Sequence, residues 1–418
     1  REGIELAGNF TATINADLAI GAVQETIVVT AEAPLVDVQG VTRQRVMTDE
    51  IVQAVPTGKY FVNLGILIPG VSASCSAACQ TGTSQDTGGA SGDNSSTLIA
   101  HGSRFRDQRI AINGMTVRGS TGYLGVTGPN IEAQQETQID TSGADASVGT
   151  GGVLVNVVPK DGGNAFSGGL FVSGANEALQ GSNIDGELED RGLTGTTEVK
   201  RLYDFAPTFG GPLRQDKLWF FASYRRANNL NYAANLFNNL NAGDPNAWTY
   251  APDTSERATF GNPLPMAGGR ITWQAAPRNK FAVSFDYRDR CQCPNLGNAG
   301  NFGISPEAAV NFMFRPQHIG MVTWSSPVTN RLLLEATVVR LFEGWGNRPA
   351  ADAAAPGTIR VIEQNPPNSY LGVTTYRGST GGNWTDYPYT NTGFNATYVT
   401  GAHAFKAGVE FDWGYNDR

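Results

Sequence analysis

Residues that could carry out covalent or metal chemistry are few and widely spaced in this 418-residue sequence. The three histidines, His101, His318 and His403, have no cysteine or acidic residue at metal-ligand spacing. Neither a Gly-x-Ser-x-Gly nucleophile elbow nor a phosphate-binding Gly-Lys-Ser/Thr loop occurs in the sequence. We therefore expect no enzyme active site, no metal site and no cofactor.

The elements that dominate the sequence are β-hairpins, which begin after the glycine-rich stretch 151–169. Runs of alternating apolar and polar residues predict nine strands there. They are 166–175, 200–212, 218–230, 267–276, 280–290, 317–326, 331–343, 388–399 and 405–416.

The connections between these strands alternate in length. Four are tight turns, and the four between them are long and rich in Gly, Asn, Pro and Asp. Short turns on one rim and long loops on the other are typical of an antiparallel outer-membrane barrel. A large soluble β-sandwich, whose strands also alternate, is the other interpretation.

Alternation within the strands gives each of them an apolar face for lipid and a polar face for the lumen. In 203–210, for example, the aromatic residues Tyr203, Phe205 and Phe209 fall opposite Asp204 and Thr208. Three aromatic residues near strand ends would suit an interfacial girdle, namely Tyr224, Trp324 and Trp413.

Length and charge set further limits. The net charge is −8, and we expect no nucleic-acid partner for a chain with this negative charge. No run of apolar residues approaches the ~20 residues that a membrane-spanning helix needs. The sequence starts at Arg1 without a signal peptide, and nine strands is an odd number for a bacterial barrel. We therefore expect the sequence to be clipped at both ends.

The N-terminal part reads as smaller elements. Residues 1–31 resemble the end of a small β-domain, and the β-branched segment Glu25–Ala31 could add as an edge strand to another protein's sheet. Its alternative role is the last strand of that domain. Beyond it, the sequence predicts a capped helix near 48–55, a second helix over 60–68 and a Ser/Gly-rich loop over 72–97. Strands are predicted at 98–100, 109–113, 137–140 and 153–158.

Four stretches in order carry a family resemblance. They are ETIVVTA at 25–31, VPTGKYF through LIPGV at 55–71, HGSR with ING at 101–114, and GGVLVNVVPKDGGNAF at 151–166. In this order they resemble a TonB-dependent outer-membrane transporter, nearest to the Oar-like group with a carboxypeptidase-regulatory-like domain. Lys59, His101 and Asn113 depart from the commoner Arg, Asn and Asp of the motifs, which puts any role of the missing Asp in doubt.

The resemblance implies a mainly β fold, with an N-terminal α/β plug inside an incomplete transmembrane antiparallel barrel of about nine strands. Residues 1–31 would end a β-domain, 32–165 would form the plug and 166–418 the first part of the barrel in a Gram-negative outer membrane. We expect residues 34–160 to be compact, with 109–114 in a central strand. The segment offered to periplasmic TonB would be Glu25, Thr26, Ile27, Val28, Val29, Thr30 and Ala31.

The resemblance also implies that plug arginines face acidic residues of the barrel and lock the plug. Arg104, Arg106 and Arg109 are the candidates for this plug-locking role, with partners such as Asp204, Glu335 or Glu410. Ordinary solvated charges in a wet lumen are the alternative. The partners implied for the whole protein are TonB, outer-membrane lipid and an extracellular substrate that the sequence does not identify.

The four cysteines form two close pairs in predicted loops, Cys75 with Cys79 and Cys291 with Cys293. Periplasmic and surface compartments are oxidising, so local disulfides are the first expectation for both pairs. Metal binding is the alternative, although no histidine or second CxxC lies nearby. Cys291 and Cys293 are separated by one residue and would form a strained ring, which leaves their pairing open.

Two other functions fit the same sequence features. One is an outer-membrane adhesin or protein-secretion gate of the same architecture, which would not need a segment for TonB. The other is a soluble glycan-binding β-protein, which would appear in the soluble fraction without detergent. The favoured hypothesis is a TonB-gated receptor that takes up a substrate bound at the long loops and the plug.

Overall fold

The computed structural model describes most of the chain from Arg43 onward. The described ranges are 43–74, 97–119, 130–143, 148–149, 151–182, 184–191, 196–296, 303–350, 358–364, 372–379, 381–401 and 403–418. None of the helices in these ranges has the length and apolar character needed to cross a membrane.

The N-terminal domain, called the plug below, is a five-stranded sheet with two short helices and a separate two-stranded sheet. The five strands lie in the order β1-β6-β7-β4-β5, with β4 and β7 parallel and the other pairs antiparallel. Its elements are β1 Arg43–Thr48, α1 Asp49–Ala54, α2 Phe61–Gly65, β2 Val71–Ser74, β3 Thr97–Ala100, β4 Arg109–Ile112, β5 Met115–Val117, β6 Gln134–Ser142 and β7 Leu154–Pro159.

Local signals explain several of these elements. Thr48 caps α1 by accepting a hydrogen bond from the backbone N–H of Ile51 at 3.5 Å. Asn113 and Gly114 both have positive φ, 50° and 78°, which gives the tight turn between β4 and β5. The strand over 109–112 is interior but not central, because β7 occupies the middle of the sheet.

Most of the remainder forms one antiparallel sheet, called the wall below. Nine strands follow one another in the order β8-β9-β10-β12-β13-β14-β15-β18-β19, and β11 pairs with the far half of β10. The strands of the wall are β8 Ser167–Asn176, β9 Glu198–Arg214, β10 Leu218–Asn239, β11 Pro252–Gly261, β12 Leu264–Ala276, β13 Asn279–Gln292, β14 Val310–Thr329, β15 Leu332–Pro349, β18 Asn383–Thr400 and β19 His403–Gly414. The connections contain the helix α3 Gly186–Asp190 and the strands β16 Val361–Ile362 and β17 Thr375–Tyr376, which pair in a separate two-stranded sheet.

The nine predicted strands correspond one to one to the nine strands of this path, which confirms the mainly β, antiparallel fold. Most of them extend further toward the long loops than the sequence predicted, since β10 has 22 residues and β14 has 20. About 9–11 residues suffice to cross a bilayer as a tilted strand. These two strands are therefore longer than a single crossing of the bilayer requires.

The two faces of the wall differ as the alternation predicted. Phe205 and Phe209 are exposed on the outer face, whereas Asp204 and Ala206 are buried on the inner one. On β13, Val283 and Phe285 are exposed while Ser284 is buried. The inner face is covered because the plug packs against it.

At the rim with the long connections, loop residues form a hydrophobic core of their own. Leu236, Ala258, Leu296 and Val373 are buried together there, with Tyr376 beside them. Strands β11, β16 and β17 belong to this rim and were not predicted, because their sequences lie within Gly-, Pro- and Asn-rich loops. The described parts of the long connections thus pack together at this rim.

Candidate functional site at the interface of plug and wall

A buried arginine of the wall holds the turn before α2 of the plug. Arg225, 2% exposed, forms a forked pair with Asp204 of the neighbouring strand, with Nη2–Oδ2 at 2.6 Å and Nε–Oδ1 at 3.0 Å. Its Nη1 donates to the backbone carbonyl of Lys59 at 2.7 Å. Its guanidinium also lies 4.7 Å from the ring centroid of Tyr60. We call this group of four residues the clamp.

The side chains of the three consecutive residues Lys59, Tyr60 and Phe61 contact three different parts of the molecule. Tyr60 packs on a small apolar cluster of the wall formed by Ala227, Leu264 and Met266. Phe61 packs against both the plug core and the apolar cluster shared with the wall. An extended backbone at Tyr60, with φ −128° and ψ 141°, turns successive side chains in different directions.

Lys59 occupies the position where the family motif usually has arginine, and it is 4% exposed. Its Nζ donates to the carbonyl of Val52 at 2.5 Å and lies 5.0 Å from the ring centroid of Phe171. Burial lowers the pKa of Lys59, although the carboxylates of Glu132 and Asp49 act in the opposite direction. The side chain joins α1 to the first strand of the wall.

A cleft of about 380 Å³ opens beside the clamp. The plug contributes Gln53 and the segment 55–60, and the wall contributes residues of β8, β9 and β10, among them Phe171, Tyr203 and Asn229. Backbone amides, the aromatic rings of Tyr60, Phe171 and Tyr203, and amide side chains therefore surround a space between plug and wall.

The hairpin β4–β5 makes the second contact between plug and wall, and this contact is mainly apolar. Ile110, Ile112, Met115 and Val117 of the plug are buried in one cluster with Ile319, Met321, Val339, Leu341, Tyr387 and Tyr389 of the wall. The Nδ2 of Asn391 donates across the interface to the carbonyl of Thr116 at 3.0 Å and to Glu410 at 2.5 Å. The carbonyl of Thr116 in the plug and the carboxylate of Glu410 in the wall thus both accept from the Nδ2 group of this buried amide.

The connection from plug to wall, residues 160–166 and called the linker below, is anchored at the short-turn rim. Asp161 forms ion pairs with Arg270 and with Lys280, the latter at 3.3 Å, and accepts a hydrogen bond from Thr272 at 2.9 Å. Burial raises the pKa of Asp161, but the charges of Arg270 and Lys280 outweigh this effect and hold the pKa below its ordinary value. The ionised carboxylate therefore stabilises the anchored linker.

Two further linker residues secure the same rim. Asn164 accepts hydrogen bonds from the backbone N–H of Asp216 at 2.8 Å and from the indole of Trp219 at 2.7 Å. Gly162 passes so close to β10 that an added Cβ would overlap the carbonyl oxygen of Phe220. Only glycine allows this approach of two backbones without a shift.

On the long-loop rim, Arg377 and Glu307 organise the buried loop core. The guanidinium of Arg377 lies 3.7 Å from the ring centroid of Trp248, and its backbone N–H donates to Glu307 Oε1 at 3.1 Å. Tyr376 donates to Glu363 at 2.5 Å. Burial raises the pKa of Tyr376 to about 12, and the hydrogen bond to Glu363 acts in the same direction. These contacts hold the described loop segments of this rim together.

The three arginines predicted to lock the plug lie around its β3–β4 connection. Arg109 donates from Nη1 to the carbonyls of Arg106 and Gln108, both at 3.0 Å. The backbone N–H of Arg104 donates to Asp107 at 3.0 Å. Of the proposed partners, Asp204 is bound by Arg225 and Glu410 by Asn391. A locking role for Arg104, Arg106 and Arg109 stays a prediction.

Some of the other predicted site residues lie outside the described ranges. These are the segment Glu25–Ala31 and the pair Cys75 and Cys79. Cys291 and Cys293 are joined to each other in the structure, at the end of β13. Among the residues that the structure describes, no group of three or more His, Cys, Asp or Glu side chains could hold a metal ion.

Sequence reasoning missed the clamp and the linker anchors. Asp204 was named only as a partner for plug arginines, and Arg225 was given no role. A signal was nevertheless present, since alternation puts both residues on the inner face of adjacent strands. Asp161 and Asn164 were quoted within a motif, but nothing local indicated which strands they would contact.

Comparisons with known proteins agree with this architecture. No family model matches the sequence. The TonB-dependent transporter Oar of Myxococcus xanthus is 28% identical over 226 residues, which are 54% of this chain and 20% of that protein. The chain thus spans about a fifth of that relative's length.

Solved structures share the fold at low identity. The outer-membrane transporter YddB of Escherichia coli superposes with a TM-score of 0.60 and 14% identity, covering 89% of this chain and 48% of YddB. The ferric enterobactin receptor PfeA of Pseudomonas aeruginosa gives a TM-score of 0.58 and 12% identity, covering 90% of this chain and 50% of PfeA. The matched proteins are transporters and receptors, not enzymes. The sequence match and the shared arrangement of plug and wall make the chain similar to TonB-dependent outer-membrane transporters and receptors.

Proposed function

We propose that this chain provides the plug and part of the barrel of an energy-coupled transporter. A substrate binds from the side of the long loops, and periplasmic TonB pairs with Glu25–Ala31 and pulls. The pull displaces the segment of the plug beside the clamp and opens a path along the wall. The long loops face outward and the linker lies at the periplasmic rim.

The observation that carries this proposal is the way the plug is seated on the wall. Beside the apolar contact of β4–β5, Arg225 holds the plug through a charged hydrogen bond to the Lys59 carbonyl and a contact with the Tyr60 ring. Arg225 keeps its fork to Asp204 when this contact breaks, so no isolated buried charge is left behind. Such a contact supports a plug segment that releases and returns.

The cleft beside the clamp supports the same proposal. It lies between Gln53–Tyr60 of the plug and the inner face of the wall, so that a shift of the turn at 55–60 would widen it. The lining of amides and aromatic rings suits passage of a polar substrate.

The test uses the full-length protein and the segment proposed to bind TonB. Pairing along a strand depends on backbone hydrogen bonds, and proline removes a donor and fixes φ. We expect Val28→Pro to abolish energy-dependent uptake and cross-linking to TonB while surface assembly and substrate binding persist. Val28→Ala, which keeps the backbone donor, is the matched control and should weaken coupling only partly.

Two results would oppose the proposal. Normal uptake by Val28→Pro would mean that 25–31 is only the closing strand of the preceding β-domain. Normal surface function without any dependence on TonB would instead support a passive adhesin or secretion gate of the same architecture.

A further inference from the structure

The outer face of the wall has a sharply bounded apolar band. Between the short turns and the level of Tyr224, the outward positions of the described strands carry no Asp, Glu, Lys or Arg. Large apolar side chains are exposed there, among them Phe209, Ile271, Val283, Phe285, Val322, Val338 and Phe394. This is the surface that lipid tails cover.

Arginines appear on this face just beyond the band, and on the side of the long loops. Arg226 follows the turn residue Asp216 by ten positions, and Arg340 follows the turn residue Asn330 by ten positions. A tilted strand crosses the hydrocarbon core in about 9–11 residues. Both arginines therefore lie at the depth of lipid headgroups at the long-loop rim.

Both arginines are held in place by neutral groups. Arg226 is hydrogen-bonded to Tyr203 and Tyr224. Arg340 donates from Nη1 to Thr390 Oγ1 at 2.6 Å, and its guanidinium lies 5.4 Å from the ring centroid of Trp413. These contacts orient the guanidinium groups without neutralising them.

Among the described residues, no carboxylate pairs with either of these two arginines. Arg315 on the same outer face differs, because its Nε lies 3.2 Å from Asp289 Oδ2. At the level of the lipid headgroups, Arg226 and Arg340 thus each present a positive charge, whereas the charge of Arg315 is balanced by Asp289.

We propose that Arg226 and Arg340 bind phosphate groups of anionic lipid headgroups in the leaflet at the long-loop rim. The guanidinium fork matches two phosphate oxygens, and Arg is less strongly hydrated than Lys, which suits an interface. Juxtamembrane cations attract anionic headgroups in the same way. The partner is a membrane lipid, because the two sites open sideways from the wall rather than into the lumen or the loop rim.

The experiment uses the full-length protein in dodecyl maltoside micelles doped with diphosphorylated lipid A. Binding is followed as the rise in melting temperature and as phosphorus retained after gel filtration. We expect saturable binding by the unmodified protein and a loss of about fivefold in affinity for Arg226→Gln or Arg340→Gln, as is typical of one exposed charged hydrogen bond. The double variant should lose at least about tenfold.

Controls separate this site from general charge effects. Arg331→Gln removes the same charge at the short-turn rim, and Arg315→Gln removes an arginine already paired with Asp289; both should keep most of the binding. Equal melting temperatures of all variants in undoped micelles would show that the barrels are intact. Equal binding by the double variant, or an equal loss in Arg331→Gln, would overturn the proposal. So would equal stabilisation by dephosphorylated lipid A or by inorganic phosphate alone, because these would indicate a hydrophobic or a soluble-anion site.

Discussion

Removal of the arginine of the clamp should loosen one segment of the plug without unfolding the wall. The variant Arg225→Met with Asp204→Leu replaces the buried ion pair by apolar side chains, a change that is often neutral or stabilising for the host fold. The plug nevertheless loses the hydrogen bond from Arg225 to the Lys59 carbonyl and the contact with the Tyr60 ring.

The magnitude follows from these two contacts. A hydrogen bond from a charged donor contributes about 1.5–3 kcal/mol, and a desolvated cation–π contact adds about 1–2 kcal/mol. A local loss of about 3 kcal/mol corresponds to roughly 150-fold more frequent opening of the turn at 58–64. The backbone N–H groups of Asn63 and Leu64, which donate to the carbonyl of Tyr60, should exchange faster by this factor.

The assay is hydrogen–deuterium exchange of the full-length protein in detergent. Arg340→Met, an arginine of the wall that faces outward, is the matched control and should leave exchange at 58–64 unchanged. The single variant Arg225→Met should also destabilise the wall, because Asp204 then stays buried without its partner. If exchange at 58–64 in the double variant equals that of the unmodified protein, the clamp does not hold the plug.

Three further predictions concern the linker and the topology. Gly162→Ala should lower stability by about 1–3 kcal/mol through overlap with β10, whereas Gly163→Ala, which meets no atom within 4 Å, should stay within about 0.5 kcal/mol in thermal melting. The pKa of Asp161 is below its ordinary 3.8 in the folded state, so its anchoring is complete above about pH 4 and is lost as the pH falls through the folded pKa. A spin label at Ala165 should therefore become mobile only below about pH 4, but already at neutral pH in Asp161→Asn. Equal mobility of the label in the two proteins at neutral pH would contradict this reasoning. Protease added to intact cells should cut the long loops and spare the turn at 214–217, and cleavage there would reverse the proposed orientation.

Much of the wall follows from the sequence alone, because strand alternation and turn chemistry are local. Residues two apart share a face of a strand whatever the strand pairs with, so the split between Phe205 and Asp204 is visible before any fold is known. The four short turns fix four pairs of antiparallel neighbours. The turn at Asn113-Gly114 and the cap at Thr48 are equally local signals.

The tertiary structure decided which inner residues meet the plug. Arg225 and Lys59 are 166 positions apart, and Asp161 and Arg270 are 109 apart, so no local pattern could pair them. The sequence offered several inner-face acids for the plug arginines, and packing instead gave Asp204 to an arginine of the wall. The strands within the long loops escaped prediction for the same reason. Their stability comes from a shared core that forms only when distant connections meet, and this core depends on the three-dimensional arrangement of the hairpins.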